Sequence, residues 1–159
     1  MSAEDFRGEE NLYRNAVENC KVVLKNFAKD KNREIKEYYT EDVADPRTPC
    51  FVIIVTGSDD EMRSAQNMSQ IRYTIGIRME IWYYHGDLTE QTKRNEVTYV
   101  LWELNEYMKK YITLNGFVPK LGVEVLGARW VPQPRGNRVL AGGVVSVLVK
   151  KLFTTTTTF

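Results

Sequence analysis

The sequence predicts an α+β fold: an antiparallel or mixed sheet of four to five strands with two helices packed on one face, in the order helix, strand, strand, strand, helix, strand, strand. Three observations carry this. From Ile71 to Tyr84 the apolar side chains Ile71, Tyr73, Ile75, Ile77, Met79, Ile81 and Tyr83 fall on every second residue, the period of a strand with one face on a core. Glu9 to Ala28 and the stretch after Asp87 instead repeat apolar residues at three and four, the period of an amphipathic helix. The remaining strand-like runs cluster on either side of the second helix.

In order, the first helix places Leu12, Tyr13, Ala16, Val17, Cys20, Val23, Leu24 and Phe27 on one side. The polar stretch 29–33 breaks it. Ile35 to Val43 reads as a weak edge strand, with Tyr38 and Tyr39 among many charges. Pro46 and Pro49 bracket a turn. Cys50 to Thr56 is a short continuous apolar run, expected to be a strand buried on both faces. Gly57 to Gln70 shows no periodicity and is read as a long polar loop. The Ile71–Tyr84 strand would span roughly 45 Å, so part of it should project.

Asp87 with Glu90 three residues later has the form of a capping box and opens the second helix, running to about Ile112. Its buried stripe is expected at Val97, Val100, Leu101, Leu104, Met108 and Tyr111. Asn115-Gly116 ends it. Gly122 to Val131 and Arg138 to Leu152 read as two strands joined by a PQPRGN turn. Gly142-Gly143 inside the second of them marks a bulge, a bend or a close backbone approach. The 159 residues suit one domain, residues 1–153, followed by a threonine-rich tail, 154–159, expected to fray.

With 22 basic against 21 acidic residues the formal charge is +1, so no global field draws the chain toward nucleic acid. No apolar stretch reaches the roughly twenty residues that span a bilayer, and the acidic, polar start MSAEDFRGEE does not suit a signal peptide. A reducing cytoplasm and no membrane are expected. Cys20 and Cys50 lack the spacing of a zinc site and read as buried thiols. His85, the one histidine, could act as general acid or base but has no serine or cysteine partner nearby, and reads as a polar strand end. Asp59, Asp60 and Glu61 lack the ligand alternation of a calcium loop, and no phosphate-cradling glycine motif occurs. No catalytic residue, metal or cofactor is expected.

Two surfaces stand out. Arg129, Trp130, Arg135 and Arg138 gather basic and aromatic groups around one turn, the makings of a small nucleic-acid-binding module or of a solvated hairpin end. On the outer face of the central strand, Trp82 and Tyr84 need cover, from the second helix or from another subunit. Arg72 and Arg78 share that face, and tyrosine, tryptophan and arginine are enriched at interfaces.

The succession of an N-terminal amphipathic helix, the strand FVIIV, the alternating strand RYTIGIRMEIWYY, the acid-capped helix DLTEQTKRNEVTYVLWELNEYM and two closing strands resembles the tail terminator (tail completion, tail-to-head joining) proteins of long-tailed bacteriophages, from about Asn11 to Phe153. The resemblance lies in size, element order and texture. It implies a structural, non-enzymatic subunit of the virion neck, assembled in the host cytoplasm as a homo-hexameric ring. Such a ring caps the tail tube protein, stops tube elongation, meets the head-side connector or stopper protein, and lets genome DNA pass without specific binding. In it, Asp59, Asp60, Glu61 and Arg63 would face the lumen or the tube end, and Arg72, Arg78, Trp82 and Tyr84 a neighbouring subunit. The 29–45 segment and the threonine tail depart from the pattern and leave room for a related neck protein, a head-completion or stopper protein.

Overall fold

The computed structural model describes residues 3–67, 70–87, 91–110, 113–118 and 122–156, and the side chains of 12–58, 74–86, 93–110, 113–118 and 122–151. Its elements are α1 (Ala3–Asp30), β1 (Glu37–Tyr39), β2 (Cys50–Asn67), β3 (Gln70–Asp87), α2 (Gln91–Lys110), β4 (Val123–Trp130), β5 (Gln133–Arg135) and β6 (Arg138–Thr156). This is the α+β class expected, with six strands among the described residues, because the PQPRGN stretch contributes the short β5. The sheet is mixed. Its order is β1-β2-β3-β6-β4, with β5 also on β6; only β1 and β2 run parallel.

Both helices cover one face. The alternating set Ile75, Ile77, Met79, Ile81 and Tyr83 joins Val145, Val147 and Val149 of β6 in one core with Cys20, Leu24 and Phe27 of α1 and Val100, Leu101 and Leu104 of α2. Strand period two meets helix period 3.6 across this layer, so each element buries one stripe. Among the expected core residues, Tyr73 and Tyr111 have side chains outside the described set, and Tyr107, 6% exposed, joins the stripe of α2. Its hydroxyl donates to Asp30 at 2.9 Å. Just past the end of helix α1, Asn32 has a left-handed φ of 52°, and Arg33 N donates back to Ala28 O at 2.8 Å. That is a helix cap with asparagine in the position glycine usually takes.

Residues 57–67 are not a loop. β2 continues through Asn67 and pairs with β3 from Gln70 onward, and β6 pairs along the far side of β3 as far as Gln70 opposite Thr156. Main-chain bonds hold this three-stranded ribbon, and they require no side-chain period. Register shifts between Val55 and Gly57, Met62 and Ala65, and Ala65 and Asn67 scramble whatever alternation the sequence had. The start of the threonine run, expected to fray, is likewise strand: Thr154 lies opposite Arg72 and Thr155 opposite Ile71. Residues 157–159 lie outside the described set, as do Leu88 to Glu90 of the expected capping box.

Helix α1 runs back along β2, with the Phe27 ring 6.2 Å from Phe51 and the Tyr13 hydroxyl 2.6 Å from Ser58 Oγ. From Phe27 to Ala3 the helix covers roughly 36 Å, whereas β2 from Phe51 to Asn67 covers roughly 53 Å, so the ribbon outruns its helix by about 17 Å.

Candidate functional site

The face of the sheet turned away from the helices carries Val52, Ile54, Glu80, Trp82, Val144 and Ser146. At one end a second, smaller core forms from Cys50, Val52, Tyr84 and Leu140, with Tyr39, Ile54 and Trp82 against it. Thus of the run Cys50 to Thr56, expected to be buried on both faces, Cys50 to Ile53 are so, whereas Ile54 and Val55 are half-buried and Thr56 is exposed, since the small core on the open face reaches only this end of β2. The cover of Tyr84 was expected from the second helix or a neighbouring subunit; it comes from neither. Arg135 of β5 lies over its ring, 5.5 Å from the centroid, and donates from Nη2 to the Tyr84 hydroxyl at 3.1 Å and to Asp42 at 2.8 Å. Tyr84 is 2% exposed within the single chain, so its assignment to a subunit interface is corrected. Trp82, its ring 6.2 Å from that of Tyr84, is half-buried. Arg78 is exposed. Arg72 is placed by its backbone opposite Thr154.

The expected four-residue basic group is divided. Arg135 pairs with Asp42 and Arg138 with Asp45 at 3.1 Å, so acids of the 40–49 segment neutralise two of the four. Arg129, opposite Val144, sits six residues along β6 from Arg138, roughly 20 Å away. A continuous cationic track is absent among the described residues.

His85 is half-buried. Its ring stacks on Tyr83 at 6.2 Å, and Nδ1 lies 3.3 Å from the Tyr83 hydroxyl, a phenol pushed up by burial, with Glu96 adding and Arg33 opposing. Among the described residues no group of three histidine, cysteine or carboxylate side chains is placed to hold a metal, and no helix is long and apolar enough to cross a membrane. Asp59, Asp60 and Glu61 lie on β2 opposite Gly76, Ile75 and Thr74. They belong to the ribbon, and their side chains, with that of Arg63, are outside the described set.

One surface escaped the sequence reading, and a second was read only through Arg129 and Trp130. On the wet side of α2, Tyr99 and Trp102 are 56% and 61% exposed, with ring centroids 6.4 Å apart. The Arg33 guanidinium lies 5.4 Å from the Tyr99 ring and pairs with Glu96 and Glu103, tying the end of α1 to α2. The signal was their offset from the stripe at 97, 100, 101 and 104. The second surface is the sheet edge at β4, where Leu126 is 55% and Trp130 36% exposed. Beside it lies a shallow open depression of about 270 Å³, lined by Leu126, Gly127, Ala128, Arg129 and Ser146. No protein-family model matches the chain, and no curated protein matches it significantly.

Proposed function

We propose that this chain is a structural subunit of the neck of a long-tailed bacteriophage, of the tail terminator type: a hexameric ring that caps the tail tube, stops its elongation and joins it to the head-side connector. The observation that carries this reading is the three-stranded ribbon that outruns α1. A ribbon extended past the end of α1 has no length of that helix to pack on, and ordering its backbone costs about 1–2 kcal/mol per residue; in this reading a tube end or a neighbouring subunit supplies contacts there. Asp59, Asp60, Glu61 and Arg63 lie on this ribbon and, in the ring, face the lumen or the tube. Acids there repel DNA phosphates, so a passing genome does not adhere. Arg72, Arg78 and Trp82, along the open face of β3, meet the adjacent subunit. The reading involves no catalytic residue and no cofactor.

Negative-stain microscopy of the purified protein should show six-fold rings, and added protein should arrest growth of polymerising tail tubes. Shortening the ribbon by replacing Met62–Tyr73, which face each other in register, with a two-residue turn should keep the helical circular dichroism while abolishing tube capping. A shortened chain that still caps tubes would refute the role of the ribbon. The same assay separates a terminator from a stopper, which binds the head connector and leaves the tube growing.

A further inference from the structure

We propose that the free edge of β4 docks a second copy of this chain, the two β4 strands pairing antiparallel about a two-fold axis. Among the described residues β4 is the last strand of the sheet order and pairs with β6 alone, its other side facing no described strand. Two main-chain bonds fix which residues point inward: Lys150 N donates to Gly122 O at 2.6 Å, and Val131 N donates to Gly142 O at 3.0 Å. Alternation from both ends makes Gly122, Glu124 and Leu126 inward on one side, and Val131, Arg129 and Gly127 inward on the other. The two phases meet at the register shift between Val125 and Gly127. Ala128 and Trp130, which are exposed, half-buried Val125 and, less fully, Val123, which is 8% exposed, therefore turn their N–H and C=O groups away from β6 and toward a partner.

This set is self-complementary. In an antiparallel pair, residues that face each other must both point outward or both inward. Setting Val123 against Trp130 of the partner subunit and Val125 against Ala128 of the partner subunit satisfies that rule at every position. The same register places Glu124 opposite Arg129 of the partner subunit, and Arg129 opposite Glu124 of the partner subunit, on the open face of the sheet. Each pair unites opposite charges. Without the bulge, Glu124 and Arg129 would lie in opposite phases and the register could not form. At the dyad, exposed Leu126 meets Gly127 of the partner subunit, over the depression that Gly127, Ala128, Arg129 and Ser146 line. Proline and lysine do not occur in β4, and its bulge and its two charges, devices that elsewhere blunt a free edge, are here the features that match the two copies.

A six-fold head-to-tail ring contains no such two-fold, so this pair is separate from the ring and does not rest on the ring reading. Sedimentation equilibrium tests it. The wild type should be a dimer, and Ala128→Pro, which removes an outward N–H and leaves the ladder to β6 intact, should be a monomer with unchanged circular dichroism. Glu124→Arg alone and Arg129→Glu alone should each weaken dimers about tenfold by setting like charges opposite each other. Mixed in equal amounts, those two variants should form heterodimers, since every facing pair is then opposite in sign. A monomeric wild type, an Ala128→Pro dimer as tight as wild type, or single variants that stay apart on mixing would overturn the proposal. Rings that form from an Ala128→Pro chain would leave the ring reading standing.

Discussion

Arg135 and Tyr84, 51 residues apart in the chain, form one unit: the guanidinium caps the ring face and donates to its hydroxyl. Burial pushes the Tyr84 phenol up to about 12, the Arg135 cation opposing the rise, so Tyr84 stays a neutral acceptor throughout the neutral range. Arg135 also reaches Asp42, pinning the 40–49 segment and β5 over the open face of the sheet.

Arg135→Ala should therefore destabilise the chain by about 1.5–3 kcal/mol, the range for a hydrogen bond to a charged group, read as a lower urea midpoint. Arg135→Lys keeps the charge but loses the planar fork and should recover less than half of that. A cost indistinguishable from zero for Arg135→Ala would show that Tyr84 is held by packing alone.

Ile77 and Leu104 are both fully buried where β3 meets the helical layer. Either change to alanine should cost about 2–5 kcal/mol in equilibrium unfolding. A loss under about half a kcal/mol, typical of surface sites, would place the core elsewhere.

A methyl group at Gly143 would press on the Leu101 side chain and come within 2.7 Å of Arg129 O on β4. The leucine can turn; the carbonyl is fixed in the sheet. Gly143→Ala should cost about 1–3 kcal/mol and loosen α2, seen as faster amide exchange along that helix.

Buried Cys20 is pushed to about 12, and Cys50 likewise, burial being the main cause in both. Because these folded-state values are raised above the thiol reference of 9.0, folded protein holds the protons longer than unfolded protein. Their contribution to stability is whole below pH about 9 and is lost as pH rises toward about 12, at about 1.4 kcal/mol per pH unit for each group. Urea midpoints should fall across that alkaline window, and the fall should be shallower in Cys20→Ala. A midpoint flat through the window would contradict the burial of both thiols.

The parts of the fold legible in the sequence are those where one-sided burial imposes a period. Ile75 to Tyr83 alternate because β3 has a helical layer on one face, and Val97, Val100, Leu101 and Leu104 recur because α2 sits on that face. Of the ribbon, β3 was legible from Ile71 on, whereas the 57–67 part of β2 and the threonine run were not, because their order lies in main-chain bonds that need no side-chain period and because three register shifts interrupt the alternation of β2. The cover of Tyr84 depends on Asp42 meeting Arg135, 93 residues away, a contact that no local pattern encodes. For the same reason the basic residues around the PQPRGN turn looked like one patch, although the acids that neutralise two of them come from the other end of the chain. Tyr99 and Trp102 were in plain view in the sequence, but a helical stripe identifies what is buried more readily than what is left out.

The position of β6 between β3 and β4 has a kinetic meaning. Ile77 faces Val149, about 70 residues downstream, whereas β2 and β3 are joined by a short connection and can zip locally. Closing the long loop costs chain entropy before its contacts repay it, and β4, the next strand after α2, has no strand to join until β6 arrives. Folding should then proceed from a β2–β3 hairpin that waits for its third strand. In stopped-flow experiments, Val149→Ala should slow refolding while Tyr39→Ala, at the rim in β1, mainly hastens unfolding. Until β6 docks, both sides of the future centre of the sheet stay open, and that interval is when the chain is most prone to join with others of its kind.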